Sequence, residues 1–219
     1  MLLKWIFSVV FCLLFFIGRA WGTLPAQIMT HPLPNTVTLT FDDGPSPIDT
    51  PHVLDILNRY HIHAVFFVMA GLAKRYPDML KKIIANGNVV ASHTIWHPKL
   101  TTLSPVKLQH EIRESKDIIA TILGQPPLCL RPPFLMTNAN VKRVINENGM
   151  AQVMGFITED YKSMGVQRLI DHVLKTVRPG MILIFHDGSN HRAQTVAALP
   201  AIIEGIKKKG LGFSLICAS

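Results

Sequence analysis

The stretch Thr38-Leu39-Thr40-Phe41-Asp42-Asp43-Gly44-Pro45-Ser46 alternates polar and apolar residues and ends in two adjacent carboxylates before a Gly-Pro turn. The alternation is typical of a β-strand, and Gly-Pro predicts a turn directly after it. Two like charges side by side cost free energy unless a cation or a proton separates them. An Asp-Asp-Gly-Pro sequence taken alone also fits an ordinary solvated turn. The rest of the chain decides between a functional site at Asp42 and Asp43 and this plainer alternative.

A second polar stretch, Ser92-His93-Thr94-Ile95-Trp96-His97-Pro98, carries two imidazoles four residues apart. A helical turn would bring side chains at this spacing onto one face. Asp43, His93 and His97 then form a candidate three-ligand metal site with an open position for water. An Arg-Pro-Pro-Phe turn at 131–134 and a histidine after the apolar stretch 181–185 add to this pattern. The combination favours a functional site over packing alone.

The N-terminal residues are typical of a secretory signal. Lys4 precedes an apolar run from Trp5 to Ile17, and the small residues Ala20 and Gly22 offer a cleavage site. The run is shorter than the ~18–20 residues usually needed to span a bilayer, so cleavage is favoured over a retained anchor. We therefore expect a signal peptide at 1–22, a periplasmic or extracellular location, no stable membrane insertion after cleavage, and one domain at 23–219.

The chain is basic, with 22 Lys and Arg against 14 Asp and Glu and a formal net charge of +8 over 219 residues. In an exported protein this charge favours encounter with anionic polymers such as cell-wall material. The short run Lys207-Lys208-Lys209 is interpreted as a solvated helix end beside the helix dipole. We accordingly expect no nucleic-acid partner.

Cys129 and Cys217 each lie inside an apolar stretch typical of a strand. Export would permit a disulfide, but sequence spacing does not show whether two Cα atoms come within bonding range. We expect two separate buried thiols here.

Strand-like and helix-like segments alternate along the chain, which implies parallel pairing through right-handed crossovers. Each candidate site residue follows the C-terminal end of a strand, where a (β/α) barrel gathers its active-site loops. The prediction is an α/β fold, a single-domain distorted (β/α) barrel with about seven parallel strands, with an open doubly wound sheet as the alternative. The predicted strands are Val37–Phe41, Ala64–Met69, Asn88–Ser92, Leu128–Leu130, Ala151–Ile157, the stretch from Met181, and Gly212–Ile216.

These motifs resemble those of the polysaccharide deacetylases of carbohydrate esterase family 4, the NodB-homology group. The resemblance runs from about Val37 to Ile216. It is carried by Thr40–Ser46, by His93–Pro98, by Arg131–Phe134 and by Leu183–His186. The first two motifs are long and occur in the family's order, which argues against a chance resemblance.

The resemblance implies a role for each motif residue. Asp42 would be the general base, Arg131 would hold it charged and oriented, and His186 would be the general acid. The main-chain N–H of Phe134 would stabilise the oxyanion, although the family more often has tyrosine there, and Leu183 would line the pocket for the acetyl methyl group. The implied ligands of a divalent metal, most often Zn²⁺, are Asp43, His93 and His97.

The sequence departs from the family pattern after the predicted strand at 151–157. Family members usually place an aspartate there, which tunes the acid histidine, and shortly after it a tryptophan, which walls the groove. This chain has Thr158-Glu159-Asp160-Tyr161-Lys162-Ser163-Met164, without tryptophan. Asp160 is the best stand-in for the tuning acid. Asp187, directly after His186, is an alternative with a structural role.

The resemblance implies an exported metal-dependent hydrolase that removes N-acetyl groups from N-acetylglucosamine residues of a polysaccharide, with peptidoglycan favoured over a chitin-like glycan. An O-acetyl esterase acting on a xylan-type glycan could use the same site. A carbohydrate-binding protein on an inactive deacetylase scaffold and a small-molecule amidohydrolase are further alternatives. The sequence leaves the polymer and the oligomeric state open.

Overall fold

The computed structural model describes residues 28–188 and 192–218, and the predicted signal segment at 1–22 lies outside them. Within these residues no helix combines the length and the hydropathy that crossing a bilayer requires. The strands are β1 Thr36–Asp42, β2 Val65–Val68, β3 Val89–Ser92, β4 Cys129–Leu130, β5 Ala151–Gln152, β6 Phe156–Ile157, β7 Ile182–His186 and β8 Gly212–Phe213. The helices are α1 Asp49–Tyr60, α2 Ala70–Arg75, α3 Pro77–Ala85, α4 Pro105–Leu123, α5 Ala139–Glu147, α6 Val166–Thr176 and α7 Ala193–Lys208.

The strands form one parallel sheet in the order β5-β4-β3-β2-β1-β7-β6, with β8 also paired to β1. The sheet curls into a distorted barrel with helices around it, so the predicted fold class is confirmed. β1 is the central strand because it pairs with β2, β7 and β8. It carries Asp42 at its C-terminal end.

The predicted strand Ala151–Ile157 is wrong as a single element. β5 and β6 lie at opposite edges of the sheet, and residues 153–155 pass between them. Gly155 makes this passage possible, because a Cβ atom there would lie 2.9 Å from the carbonyl oxygen of Ile182. The barrel is therefore closed between β5 and β6 by the covalent chain instead of by a strand ladder.

Local sequence explains several helix ends. Pro77 and Pro105 occupy the first positions of α3 and α4, where a missing N–H leaves no intrahelical hydrogen bond unmade. Asn138 caps α5, since its side chain accepts a hydrogen bond from the Val141 N–H at 2.9 Å. Gly124, with φ of 75°, ends α4 in the left-handed conformation.

The two faces of the sheet have different packing partners. Leu39, Phe41 and Phe185 point outward and pack with the helices in the main hydrophobic core. Val65 and Phe67 belong to a second buried cluster, which also contains both cysteines and Ile216. Because alternate residues of a strand face opposite sides, β2 contributes Phe66 and Val68 to the main core and Val65 and Phe67 to the second cluster.

The expectation of two separate thiols is wrong, because Cys129 and Cys217 form a disulfide with Cα atoms 5.6 Å apart. The bond ties the C-terminal tail to β4, and both cysteines are buried. Met29 holds the same tail through two backbone hydrogen bonds, one from its N–H to the Ala218 oxygen at 3.2 Å and one to its oxygen from the Cys217 N–H at 2.6 Å. Residues 88 positions apart in sequence meet only through this tertiary packing, which local patterns do not encode.

Candidate active site

The predicted site residues converge at the C-terminal ends of the strands. Asp42 ends β1, and the register of β1 with β7 places His186 directly opposite it. His93 follows β3, and Arg131 follows β4. A cavity of about 400 Å³ opens at this end. Its lining includes Asp42, Asp43, His93, His97, Phe134 and His186.

Asp42 is held by a buried arginine. Arg131 Nη1 donates hydrogen bonds to Asp42 Oδ1 at 2.6 Å and to Thr40 Oγ1 at 2.8 Å. The guanidinium carbon lies 3.9 Å from the centroid of the Phe67 ring, so the whole side chain is enclosed. Burial raises the pKa of Asp42, while the charge and the hydrogen bond of Arg131 act against this shift. The carboxylate is thus fixed in orientation and made more basic than an exposed aspartate.

Asp43, His93 and His97 form a compact donor set. His93 Nδ1 donates to the Arg131 carbonyl oxygen at 2.8 Å, which leaves Nε2 as the acceptor nitrogen on the site side. Nε2 of His93 and Nε2 of His97 each lie 3.5 Å from Asp43 Oδ1. Burial lowers the pKa of His93 to about 3, with the charge of Asp43 opposing and that of His97 adding to the shift. The imidazole is therefore neutral, as a metal ligand must be.

The donor set fits a divalent metal. One ligand atom from each residue can be chosen so that all three lie within 4.8 Å of one another. Asp43 Oδ1 is buried and has no hydrogen-bond partner among the described residues, a costly state for a carboxylate oxygen unless a cation satisfies it. Two imidazole nitrogens and one carboxylate oxygen are a ligand set that zinc takes in catalytic sites.

The predicted helical turn at His93–His97 is wrong, although the two rings do meet, with centroids 4.8 Å apart. The segment is a tight turn in which Thr94 and His97 have φ of 69° and 60°. Hydrogen bonds hold this conformation. The Thr94 side chain accepts one from the His97 N–H at 3.1 Å, and Glu111 accepts one from the Ile95 N–H at 3.0 Å. The tight turn therefore brings the two imidazole rings together, which was the result expected from a helical turn.

His186 is held by Asp160, the residue proposed as the stand-in for the tuning acid. Asp160 Oδ1 accepts a hydrogen bond from His186 Nδ1 at 2.7 Å, and Oδ2 accepts from the His186 backbone N–H at 2.8 Å. Thr195 Oγ1 donates to the same Oδ2 at 2.7 Å. Burial lowers the pKa of His186, but the hydrogen bond and the charge of Asp160 outweigh it, so the net pKa lies above the usual histidine value.

The prediction that Leu183 lines the acetyl pocket is wrong by one residue. Leu183 is fully buried and packs in the main core, whereas Ile184 lines the cavity. Side chains of a strand alternate between faces, so the residue two positions before His186 shares its face and the residue three before does not. Phe134 does line the cavity, with φ of 58° and its ring centroid 4.5 Å from that of His97.

Asp187 lies beside the site without lining the cavity. Thr50 Oγ1 donates to its Oδ2 at 2.5 Å, and the Asp187 backbone N–H donates to the Asp42 carbonyl oxygen at 3.1 Å. Burial raises the pKa of Asp187 to about 7. These contacts assign Asp187 to the support of the strand ends, the structural role left open from the sequence.

Sequence reasoning missed three residues that support or line the site. Arg192 is buried, lines the cavity, donates from Nε to the Gly188 oxygen at 2.8 Å and places Nη2 3.9 Å from Asp43 Oδ2. Thr195 contacts Asp160, as described above. Tyr161 is 51% exposed and stands edge-on to His186 with ring centroids 5.9 Å apart, in the region where a tryptophan was expected. Because all three occur outside the recognised motifs, only the long-range packing at the start of α7 and beyond β6 places them.

Comparisons with known proteins agree with this geometry. A family model described as polysaccharide deacetylase matches residues 30–153. A peptidoglycan-N-acetylglucosamine deacetylase of Bacillus cereus is 34% identical over 195 residues, which cover 86% of this chain and 91% of that protein. A chitooligosaccharide deacetylase of Rhizobium leguminosarum bv. trifolii is 35% identical over 191 residues, covering 82% and 88%. The solved family 4 carbohydrate esterase from Streptomyces lividans in complex with acetate superposes with a TM-score of 0.77 at 29% identity, covering 82% of this chain and 92% of that one.

Proposed function

The chain belongs to the polysaccharide deacetylase family. We propose that it removes N-acetyl groups from N-acetylglucosamine residues of a glycan, and we favour peptidoglycan over a chitin-like polymer as that glycan. The relatives named as peptidoglycan and chitooligosaccharide deacetylases support this substrate class. The observation that carries the proposal is the pairing of Asp42 and His186 across β1 and β7, beside a three-ligand cluster in one cavity.

Asp43, His93 and His97 are the residues that would hold a divalent metal, and zinc suits their donor atoms. When bound, such a metal polarises the amide carbonyl and lowers the pKa of water. The neutral state of His93, and an Asp43 Oδ1 that accepts no hydrogen bond from the described part of the chain, prepare the cluster for this cation.

Proton transfer falls to the chain's own side chains. Asp42 takes a proton from the attacking water as its oxygen adds to the acetyl carbonyl carbon, and Arg131 keeps the carboxylate aligned for this step. His186 then gives a proton to the glucosamine nitrogen as the carbon–nitrogen bond breaks, so that acetate and a free amine leave. Its raised pKa favours the protonated form that this step needs. Asp160 occupies Nδ1, which leaves Nε2 to carry the transferred proton.

Substrate contacts are proposed for the cavity walls. Ile184 takes the acetyl methyl group, and the main-chain N–H of Phe134 serves the oxyanion. Phe134 and Tyr161 are 55% and 51% exposed as residues and line the cavity, so each ring can pack against a sugar face. Tyr161 would thereby form the groove wall for which the sequence offers no tryptophan.

Export of the protein is part of the proposal. The sequence at 1–22 is typical of a signal peptide, and a polymer outside the cell would be the substrate. The Cys129–Cys217 disulfide supports this location, because such bonds persist mainly in oxidising compartments.

The test is acetate release from N-acetyl chito-oligomers and from peptidoglycan, with zinc or with a chelator. Asp42→Asn is the matched control, because it removes the base but none of the three ligands; we expect no turnover and retained metal binding. Full activity of this variant would contradict the mechanism. Release only from an O-acetylated xylan would replace the substrate proposal with the esterase alternative. Binding of chito-oligomers without any release by the metal-loaded parent would favour the binding-only alternative.

A further inference from the structure

The barrel end opposite the site is strongly basic. The helices run antiparallel to the strands, so the last turns of α1, α6 and α7 lie where β2, β7 and β8 begin. These turns and the loops after them carry six exposed basic residues, which we call the basic end face. Its members are Arg59, Lys175, Arg178, Lys207, Lys208 and Lys209.

The six residues lie on three neighbouring helix ends near the start of β1. β2, β7 and β8 all pair with β1, and α7 packs against both α1 and α6. Direct contacts confirm that the turns meet. Lys207 Nζ donates to the Tyr60 carbonyl oxygen at 3.2 Å, and the Gly180 N–H donates to the Thr36 carbonyl oxygen at 2.8 Å. The basic end face is thus one patch instead of three separate helix ends.

None of the six members of this patch forms an ion pair within the described residues, although Asp55, Asp171 and Glu204 each lie one helical turn before a member. The acid Glu204, one turn before Lys208, instead accepts a hydrogen bond from the Tyr60 hydroxyl at 2.6 Å. Helix dipoles favour cations at C-terminal ends, and the parallel topology brings the ends of three neighbouring helices together, so their cations add up to one patch.

Exposed apolar side chains stand in the same region. Leu33 and Met29 are 51% and 37% exposed and line a groove together with Lys207 and Phe213. Cations around an exposed apolar patch are complementary to a membrane interface of anionic lipid.

We propose that the basic end face docks on the surface of an anionic phospholipid bilayer. The start of β1 then faces the lipid headgroups. β1 is seven residues long, so the catalytic end lies about 20 Å further out and opens away from the membrane. The proposal stands on the charge distribution and does not depend on the deacetylase activity.

The test measures the affinity of the full chain for vesicles of phosphatidylcholine and of phosphatidylcholine mixed with phosphatidylglycerol. The ratio of the two affinities is the readout, because binding by the N-terminal apolar segment contributes to both. The variant K207Q/K208Q/K209Q removes three cations and is expected to lower this ratio roughly a hundredfold. Added salt should lower the ratio of the parent chain as well, because exposed charges are screened.

The matched control removes the same total charge from the other end of the barrel. It carries three substitutions of exposed residues in the first halves of α4, α5 and α6, written K107Q/K142Q/R168Q. We expect the control to keep the parent ratio within a few-fold. Equal losses in both variants would overturn the proposal, since net charge alone would then explain the binding. An unchanged vesicle ratio with lost binding to soluble poly(glycerol phosphate) would overturn it in favour of an anionic wall polymer.

Discussion

Removal of the Cys129–Cys217 disulfide offers a quantitative test of how the barrel is stabilised. The bond closes a loop of 88 residues that contains α5, β5, β6, α6, β7, α7 and β8. In the chain-entropy description, the loss of a cross-link over that length lowers the free energy of unfolding by about 4.6 kcal/mol at 25 °C. A domain of this size is stable by only about 5–15 kcal/mol, so the loss is large.

The double variant Cys129→Ala/Cys217→Ala should therefore unfold at much lower urea concentration than the oxidised parent. Far-UV circular dichroism with linear extrapolation gives both free energies of unfolding. The parent chain measured with its disulfide reduced is the control, because it keeps both buried sulfur atoms and lacks only the covalent bond. A difference below about 1 kcal/mol between the oxidised and the reduced parent would refute the assignment of stability to loop closure.

Two further predictions concern the site. Asp160→Asn should move the alkaline limb of the pH profile of kcat/KM to lower pH, because His186 loses the carboxylate that raises its pKa and so loses its proton earlier as the pH rises. Thr195→Val, which removes only a hydrogen bond to Asp160, should shift this limb less, and an unchanged limb in Asp160→Asn would exclude His186 as the acid. Arg192→Gln should weaken zinc binding about tenfold in a chelator competition, because Asp43 loses the group facing its Oδ2; equal or tighter binding would show that Arg192 does not position this ligand.

Much of the site follows from sequence because its residues mark strand ends. The alternating stretch before Asp42 predicts β1, and parallel strands in a barrel bring their C-terminal ends together. That topology alone places Asp42, His93, Arg131 and His186 in one region, and the structure does so. The helix starts at Pro77 and Pro105 depend on local backbone chemistry in the same way.

The errors arise where tertiary contacts override local pattern. The turn at His93–His97 depends on a hydrogen bond from Ile95 to a side chain of α4, and nothing near the histidines encodes it. The break in Ala151–Ile157 depends on the placement of β5 and β6 at opposite edges of the sheet, with Gly155 passing close to the carbonyl oxygen of Ile182. The prediction for Leu183 assigns it to the wrong face of β7. Apolar residues on both sides of a buried strand give no alternation from which the inward face can be identified. Arg192 and the disulfide depend on contacts between residues that are far apart in the sequence.

The register of β1 with β7 has a consequence for how this protein could change its substrate. Asp42 and His186 are the last of the five residue pairs in the ladder between β1 and β7, so the sheet fixes the spacing of the proposed base and acid. Phe134 and Tyr161 lie instead on segments between elements, outside that ladder. Exchange of residues 133–137 or 161–165 with those of a relative should therefore alter the preferred glycan while the proton-transfer pair keeps its spacing. In this molecule, the geometry for proton transfer and the choice of glycan depend on different segments of the chain and can change independently.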